Sequence, residues 1–483
     1  MAAFSLMSAR PASRRGSDAP PPIDEPAWGQ VLPGWPLTFF FAGYPVLWVL
    51  GLGGFAASLA ALPMLGLLLL RRGLRVPPGF GLWLLFLLWM TFSATQLDTA
   101  GRMIGFVFRF MNYAAATIFF VYVYNSSRRA LPLSRVIGLM VLFWIWVVAG
   151  GYLGVLLPNR SISTPMQSLL PGSIVGNDYV KELVHPKFAE VQRPWGAPRA
   201  YVRPSAPFAY TNTWGSHFAL LVPFAILYMR TAAVRWRRQA VTILLVVSLV
   251  PAFSTLNRGM FLAVGVGVVY AAVRFGFRGQ VKWLAAVLVL LGIGLATASA
   301  LGVGQSIGSR TQYSSTNAGR ETIYREAFER TLESPFIGFG APRPSRVLNI
   351  SVGTQGQIWN IMFSFGFVAL ILFCGWLWSL PLRTRAAPGA LLWLHVVTVM
   401  ASFMIFYYGL DGSQLVVIFV AAALVLREAA AGPEAPPPAP PGRSRTTGLA
   451  RTGSAPGRPD ARGLSGWVRY APGPTWSQGE EDE

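Results

Sequence analysis

The 483-residue chain is 53% hydrophobic and only 12% charged, with a mean hydropathy of +0.47 and a formal net charge of +21. A soluble globular protein carries about twice that charged fraction, so the composition excludes an ordinary soluble domain. The apolar residues fall into repeated runs near the length that crosses hydrocarbon, and many arginines stand at the ends of those runs. That placement suits membrane orientation and anionic lipid, and no nucleic-acid partner is expected. No Walker loop, zinc-type cluster or dinucleotide fingerprint is present, and no cofactor or metal is expected. The single cysteine, Cys374, excludes an intrachain disulfide.

The expected fold is an all-α polytopic membrane protein with about twelve transmembrane helices and two long extracytoplasmic loops. Residues 1–33, rich in Pro, Ala, Ser and Arg and without an apolar core before a cleavage site, read as a disordered cytoplasmic tail. The transmembrane domain covers 34–430. Its helices are predicted at about 37–51, 54–70, 79–96, 103–125, 134–156, 212–229, 239–254, 259–274, 283–301, 356–378, 390–408 and 412–428. The stretch from Leu37 to Leu70 is too long for one upright span and is broken by Gly51, Gly53 and Gly54, which favours a hairpin of two short helices. Residues 431–483, rich in Pro, Gly, Ala and Arg, read as a second disordered cytoplasmic tail.

With the N-terminus inside, the short cytoplasmic turns hold Arg71, Arg72 and Arg75, then Arg128, Arg129 and Arg135, then Arg230, Arg235, Arg237 and Arg238, then Arg274, Arg278 and Lys282, and last Arg383 and Arg385. The short outer turns hold little beyond Arg102 and Arg258. The asymmetry follows the positive-inside rule and predicts an even number of spans with both termini cytoplasmic.

Two outer segments, about 159–211 and 302–354, exceed what a turn needs, and loops of that length are often functional. Within the second, Glu321 to Leu332 reads as a short amphipathic helix with Ile323, Tyr324, Ala327 and Phe328 on its apolar face and Glu321–Arg325 and Glu326–Arg330 as i,i+4 pairs. A helix lying on the membrane surface and a lid over an outward-facing cavity both fit that pattern.

The outer arginines stand out because the positive-inside rule leaves few there. Arg203 precedes the sixth helix, Arg258 lies in the turn Ser254–Gly259, and Arg320 follows Asn317-Ala318-Gly319. A lone outer arginine ordinarily reaches headgroups or pairs with a loop carboxylate. Several near one surface form a candidate site for the phosphates of an anionic lipid-linked substrate, since guanidinium offers a planar fork of donors and keeps its charge on partial burial. Arg258 is the best placed, held by a tight turn near the bundle. Asn212 and Asn257 either orient it, bind a sugar or cap a helix.

These segments resemble the O-antigen ligase and O-antigen polymerase superfamily of bacterial membrane glycosyltransferases. The likeness is strongest from Arg203 to Leu372, through the Arg203…Phe208…Asn212 segment, the Ser254–Gly259 turn, and Asn317-Ala318-Gly319-Arg320-Glu321. It continues through Pro335-Phe336-Ile337-Gly338-Phe339-Gly340 and from Gln355-Gly356-Gln357-Ile358-Trp359 to Gly366. The resemblance implies transfer of glycan from an undecaprenyl-diphosphate carrier at the outer face of the bacterial plasma membrane, without a metal. It implies catalytic roles for Arg203, Arg258, Arg320 and Gln355, and substrate contacts from Asn212, Asn257, Gln357 and Glu321. The implied partners are membrane lipids, the polyprenyl-linked donor, a glycan or lipid-linked acceptor and other polysaccharide-assembly proteins.

One departure matters. Gln355 stands where the ligases carry a histidine proposed to activate the acceptor, and glutamine is a poor proton acceptor. Polymerisation is therefore favoured over ligation, with Gln355 and Gln357 either binding sugar hydroxyls or simply opening a helix. The candidate bases elsewhere are His185 and Glu190 in the first long loop. His217 and His395 fall inside helices, where packing is the simpler role, and Asp98 and Asp411 sit at outer helix ends. The competing class is a transporter or flippase of an anionic lipid-linked or soluble substrate, against which stands the lack of a visible repeat joining the two halves. A purely structural membrane protein leaves the two long loops without a role.

Overall fold

The structure is a computed structural model that describes residues 31–431 apart from 177, 194–199, 280, 301, 303, 305–315 and 411. Nearly all of both predicted tails, most of the first part of the second long loop and Asp411 therefore lie outside the described residues.

The chain is an all-α, multi-pass membrane protein. Five helices come first: α1 (Trp35–Val49), α2 (Ala56–Leu69), α3 (Phe80–Phe92), α4 (Ala100–Asn125) and α5 (Leu133–Leu156). Three short helices, α6 (Pro165–Leu169), α7 (Gly172–Val175) and α8 (Asp178–Val184), lead to strands β1 (Ala189–Gln192) and β2 (Tyr201–Pro204). There follow α9 (Thr211–Thr231), α10 (Arg235–Val247), α11 (Leu249–Ser254), α12 (Arg258–Phe277), α13 (Val281–Ala300) and α14 (Thr316–Thr331). Strands β3 (Arg343–Pro344) and β4 (Ser351–Val352) precede α15 (Gln357–Thr384), α16 (Leu392–Met404) and α17 (Ser413–Ala431).

Helices occupy all twelve predicted segments, yet among the described residues six are long and apolar enough by themselves to cross a membrane: Ala100–Asn125, Leu133–Leu156, Arg235–Ser254, Arg258–Phe277, Gln357–Thr384 and Ser413–Ala431. The helices at Trp35–Val49, Gly53–Leu69, Phe80–Gln96 and Gly389–Met404 are apolar but short. Helix α17 is the axis of the packing, with every residue from Leu415 to Val425 buried. A helix apolar on all sides is stable only when others surround it, and α4, α9, α15 and α16 do so. Large rings lock α3, α4, α15 and α17 together: Trp83 meets Phe419 edge-on at 4.9 Å and Phe120 meets Trp376 at 5.6 Å. Such edge-to-face pairs are the favoured geometry for aromatic quadrupoles.

Two local features hold the loops onto the helices. Glycine at 150 and 154 lets the first long loop lie directly on α5, because a Cβ there meets the backbone carbonyls of Ala206 and Phe188. Gly366, at φ 81° and ψ 177°, breaks α15 in a conformation open essentially to glycine alone. The carbonyls of Phe363 and Ser364 lose their helical donors at that break. They are satisfied instead by the amides of Phe339 (3.0 Å) and Gly340 (2.7 Å), while the amide of Phe367 donates to Pro335 (2.8 Å). Thus the Pro335–Gly340 segment completes the hydrogen-bond accounting of a broken helix.

The amphipathic helix forms as α14 and packs on α15. Ile323 and Ala327 are buried against Met362 and Phe363, Tyr324 stacks on Trp359 at 4.3 Å, and Phe328 is exposed.

Candidate functional site

At one end of the bundle, segments from along the whole described chain converge on a cavity of about 1060 Å³. Its wall takes residues from α1, α4, the 182–192 stretch, β2 and the start of α9, the α11–α12 turn, Arg320 on α14, the start of α15, and the 407–414 turn. Arg203, Arg258, Arg320, Gln355, Asn212, Asn257, Gln357, His185 and Glu190 all line it.

Arg203 is the most constrained of these. Glu190 and Arg203 are direct cross-strand partners in the antiparallel β1–β2 pair, and their side chains meet at 3.2 Å. Arg203 Nε donates to the carbonyl of Thr255 at 2.8 Å, and a second guanidinium nitrogen lies 3.5 Å from Asn212 Oδ1. Burial pulls its pKa below the usual arginine value while the Glu190 carboxylate pulls it back up. An arginine remains charged through such a shift.

Glu190 is equally committed. Its second oxygen accepts the amide of Thr211 at 2.8 Å, so both carboxylate oxygens are engaged in holding β2 to the start of α9. This arrangement makes Glu190 the partner that aims Arg203 and leaves it ill suited to be a base.

The turn that carries Arg258 is shaped by Leu256, whose φ of 48° places a branched residue in the left-handed region. Asn257 then caps α12, accepting the amide of Met260 at 3.3 Å, and also accepts the Tyr408 hydroxyl at 2.6 Å. Its capping role is structural, and it anchors the turn to the α16–α17 connection. Arg258 is the first residue of α12 and is exposed to the cavity. Arg320 enters from α14, with Tyr324 of that helix donating to the carbonyl of Gln355 at 3.0 Å. The Nε of Arg320 is buried without a hydrogen-bond partner among the described residues.

Two predicted substrate contacts sit differently from expectation. Gln357 is fully buried: its amide donates to Tyr113 at 2.7 Å and accepts from the amide of Leu410 at 2.7 Å. Both ends being used, it ties α15 to α4 and to the turn before α17. Glu321 is exposed, pairs with Arg325 at 3.4 Å and does not line the cavity. Gln355, by contrast, is half-buried at the cavity wall.

The histidines separate in the same way. His217 bonds Thr213 and Ser413, His395 bonds Tyr270 and Thr384, and both are buried in helix packing. His185 lines the cavity with Nδ1 3.1 Å from Gln167 Oε1. Asp98 is outside the cavity and pairs with Arg102 and Arg343.

Residues that sequence reasoning passed over complete the wall. Arg109 and Asn112 of α4, Lys187, Glu182 with its partner Tyr210, and Tyr408 all line the cavity. An arginine within an apolar run was the available signal for Arg109; nothing local marks the others. Among the described residues, the cavity thus holds five cations, Arg109, Lys187, Arg203, Arg258 and Arg320, against two carboxylates, Glu182 and Glu190. An anion is the complementary ligand. Among the described residues no three His, Cys, Asp or Glu side chains gather as a metal site. No family model, curated protein or solved structure matches the chain.

Proposed function

We propose that the protein is a membrane glycosyltransferase that polymerises, in preference to ligating, glycan carried on undecaprenyl diphosphate at the outer face of a bacterial plasma membrane. The observation that carries this reading is that Arg203, Arg258 and Arg320, far apart in sequence, line one cavity at the loop-bearing end of an apolar bundle. The proposal includes twelve spans, both termini cytoplasmic and the cavity open to the outer side. It is supported by the resemblance in Arg203–Leu372 and by the arginine asymmetry between successive turns.

In this reaction an acceptor hydroxyl oxygen bonds to the anomeric carbon of the donor. The bond from that carbon to the diphosphate oxygen breaks, and the carrier diphosphate departs with the electron pair. Donors aimed at the charge developing on the departing oxygens accelerate such a step, which is the role of Arg258 and Arg320, with Arg203 held in register by Glu190. His185 receives the hydroxyl proton: with Nδ1 donating to Gln167, its Nε2 is the basic nitrogen. Gln355 orients the acceptor hydroxyl. Polymerisation is favoured because glutamine occupies the position where the ligases hold a histidine.

The test is glycan transfer by the full-length protein in proteoliposomes supplied with undecaprenyl-diphosphate-linked repeat units, with and without a second acceptor. Longer carrier-linked chains from repeat units alone are expected. Product only on the second acceptor makes the enzyme a ligase. Movement of labelled substrate across the bilayer with no new glycosidic bond replaces the enzyme with a transporter or flippase.

A further inference from the structure

Among the described residues of the apolar helices, Arg109 is the one Arg, Lys, Asp or Glu that stands more than two turns from both ends of its helix. It lies nine residues into Ala100–Asn125, one of the six helices able to cross a membrane, which is about 14 Å along the axis at the α-helical rise. A charge at that depth is costly to insert, so intramembrane ionisable residues ordinarily mark a ligand or ion path.

Arg109 does not face lipid alone, because it lines the cavity. Asn112, three residues on and therefore on the same face, lines it as well. Asn112 is only 4% exposed, yet its amide makes no hydrogen bond among the described residues. An amide that opens onto the cavity presents a donor and an acceptor to whatever fills it. The same cavity is also lined by the apolar and aromatic residues Tyr44, Trp48, Ala57 and Phe108. A cation, an open amide and an aromatic wall within the thickness of the bilayer match an anionic group tethered to a hydrocarbon chain. A freely soluble anion gains nothing from that depth.

Resting on the carrier-lipid reading above, we infer that Arg109 and Asn112 form an anion subsite sunk into the membrane that holds the lipid-proximal phosphate of a polyisoprenoid diphosphate. Arg203, Arg258 and Arg320 then hold the sugar-proximal phosphate, where charge develops as the glycosidic bond forms. The two subsites divide the labour between anchoring the carrier and stabilising its departure.

The test is equilibrium binding to the full-length protein in nanodiscs, using undecaprenyl diphosphate and inorganic phosphate as separate probes. Arg109→Gln is expected to weaken the lipid probe by about tenfold or more, the worth of a charge-assisted contact. Inorganic phosphate, which the other arginines hold by themselves, should change by no more than about twofold. Arg109→Lys, which keeps the charge, should recover most of the lipid affinity. Unchanged lipid binding in Arg109→Gln overturns the subsite, as does an equal loss for both probes. Should Arg109→Gln fail to fold, Asn112→Ala reads the same ratio: selective loss of the lipid probe supports the subsite, and no selectivity overturns it. Wild-type protein that binds neither probe sinks the carrier-lipid reading itself, a result distinct from a variant without effect.

Discussion

Arg330 on α14 and Arg203 on β2 are both buried arginines, each paired with a glutamate at 3.2 Å, but their surroundings differ. Arg330 is closed in. Its guanidinium lies over the rings of Phe363 (5.2 Å) and Phe339 (5.7 Å) and donates to the carbonyl of Pro344. Its partner Glu326 also accepts from Ser345 and from the amide of Arg346. Arg203 opens onto a cavity that contains Arg109, Arg258, Arg320 and Lys187 besides Glu182 and Glu190. One helix, α14, serves both regions, carrying Arg320 into the cavity and Glu326 and Arg330 into the closed cluster. The comparison teaches that an ion pair does not mark a site; an excess of one charge around an open volume does.

Deleting the closed pair should have the largest effect. Arg330→Ala leaves Glu326 buried without its charge partner, still bonded to Ser345 and the Arg346 amide, which costs about 3 kcal/mol. Thermal unfolding of the purified protein should show that loss as a clearly lowered midpoint, and α14 should become accessible to protease. An unchanged midpoint erases the distinction between the two regions.

Arg258→Gln and Arg320→Gln test the other side. Each is expected to lower glycan transfer by about 10²–10³-fold, as loss of one donor to a developing anion does, while the unfolding midpoint stays near that of the parent. Loss of stability in step with activity would make these arginines structural, like Arg330.

A smaller effect comes from pH. Burial pushes the Glu326 carboxyl up, but the Ser345 hydroxyl, the Arg346 amide and Arg330 outweigh it and hold the pKa below the usual value. A depressed carboxylate pKa contributes stability above the unfolded-state pKa, and this contribution is lost as pH falls through the folded one. Acidification below about pH 4.3, the ordinary glutamate value, should therefore lower the unfolding midpoint, and Glu326→Gln should lack that component. A midpoint with the same acid dependence in Glu326→Gln would assign it to other groups.

The helices were legible because apolar runs, punctuated by Gly, Pro and Arg, are local signals. The members of the cavity were legible only in part. Arg203, Arg258 and Arg320 stood out through motif and position, whereas Lys187 and Tyr408 enter by packing that no short pattern records. The β1–β2 pair was hidden because Glu190 and Arg203 meet across a loop. Gln357 looked like a polar helix start available to sugar, yet Tyr113, distant in sequence, takes its amide. The break at Gly366 was equally hidden, since a glycine inside an apolar run reads as continuous helix until the Pro335–Gly340 segment is seen beside it.

Glu321 supplies the smallest and most pointed test, because sequence reasoning grouped it with Arg320 as a site residue while the structure sets it on the opposite side of the comparison. Its side chain is 75% exposed and pairs with Arg325, itself 70% exposed, at 3.4 Å. An exposed i,i+4 pair contributes about 0.5 kcal/mol or less. Glu321→Gln should therefore leave both the unfolding midpoint and the rate of transfer within error of the parent, measured in the same proteoliposomes in which Arg320→Gln is nearly inactive. Adjacent residues on one helix would then differ by two orders of magnitude or more in rate, solely because one side chain enters the cavity and the other enters water. A large loss in Glu321→Gln would instead mean that the cavity extends over α14 when substrate is bound, and that the boundary between the two regions lies beyond Glu321.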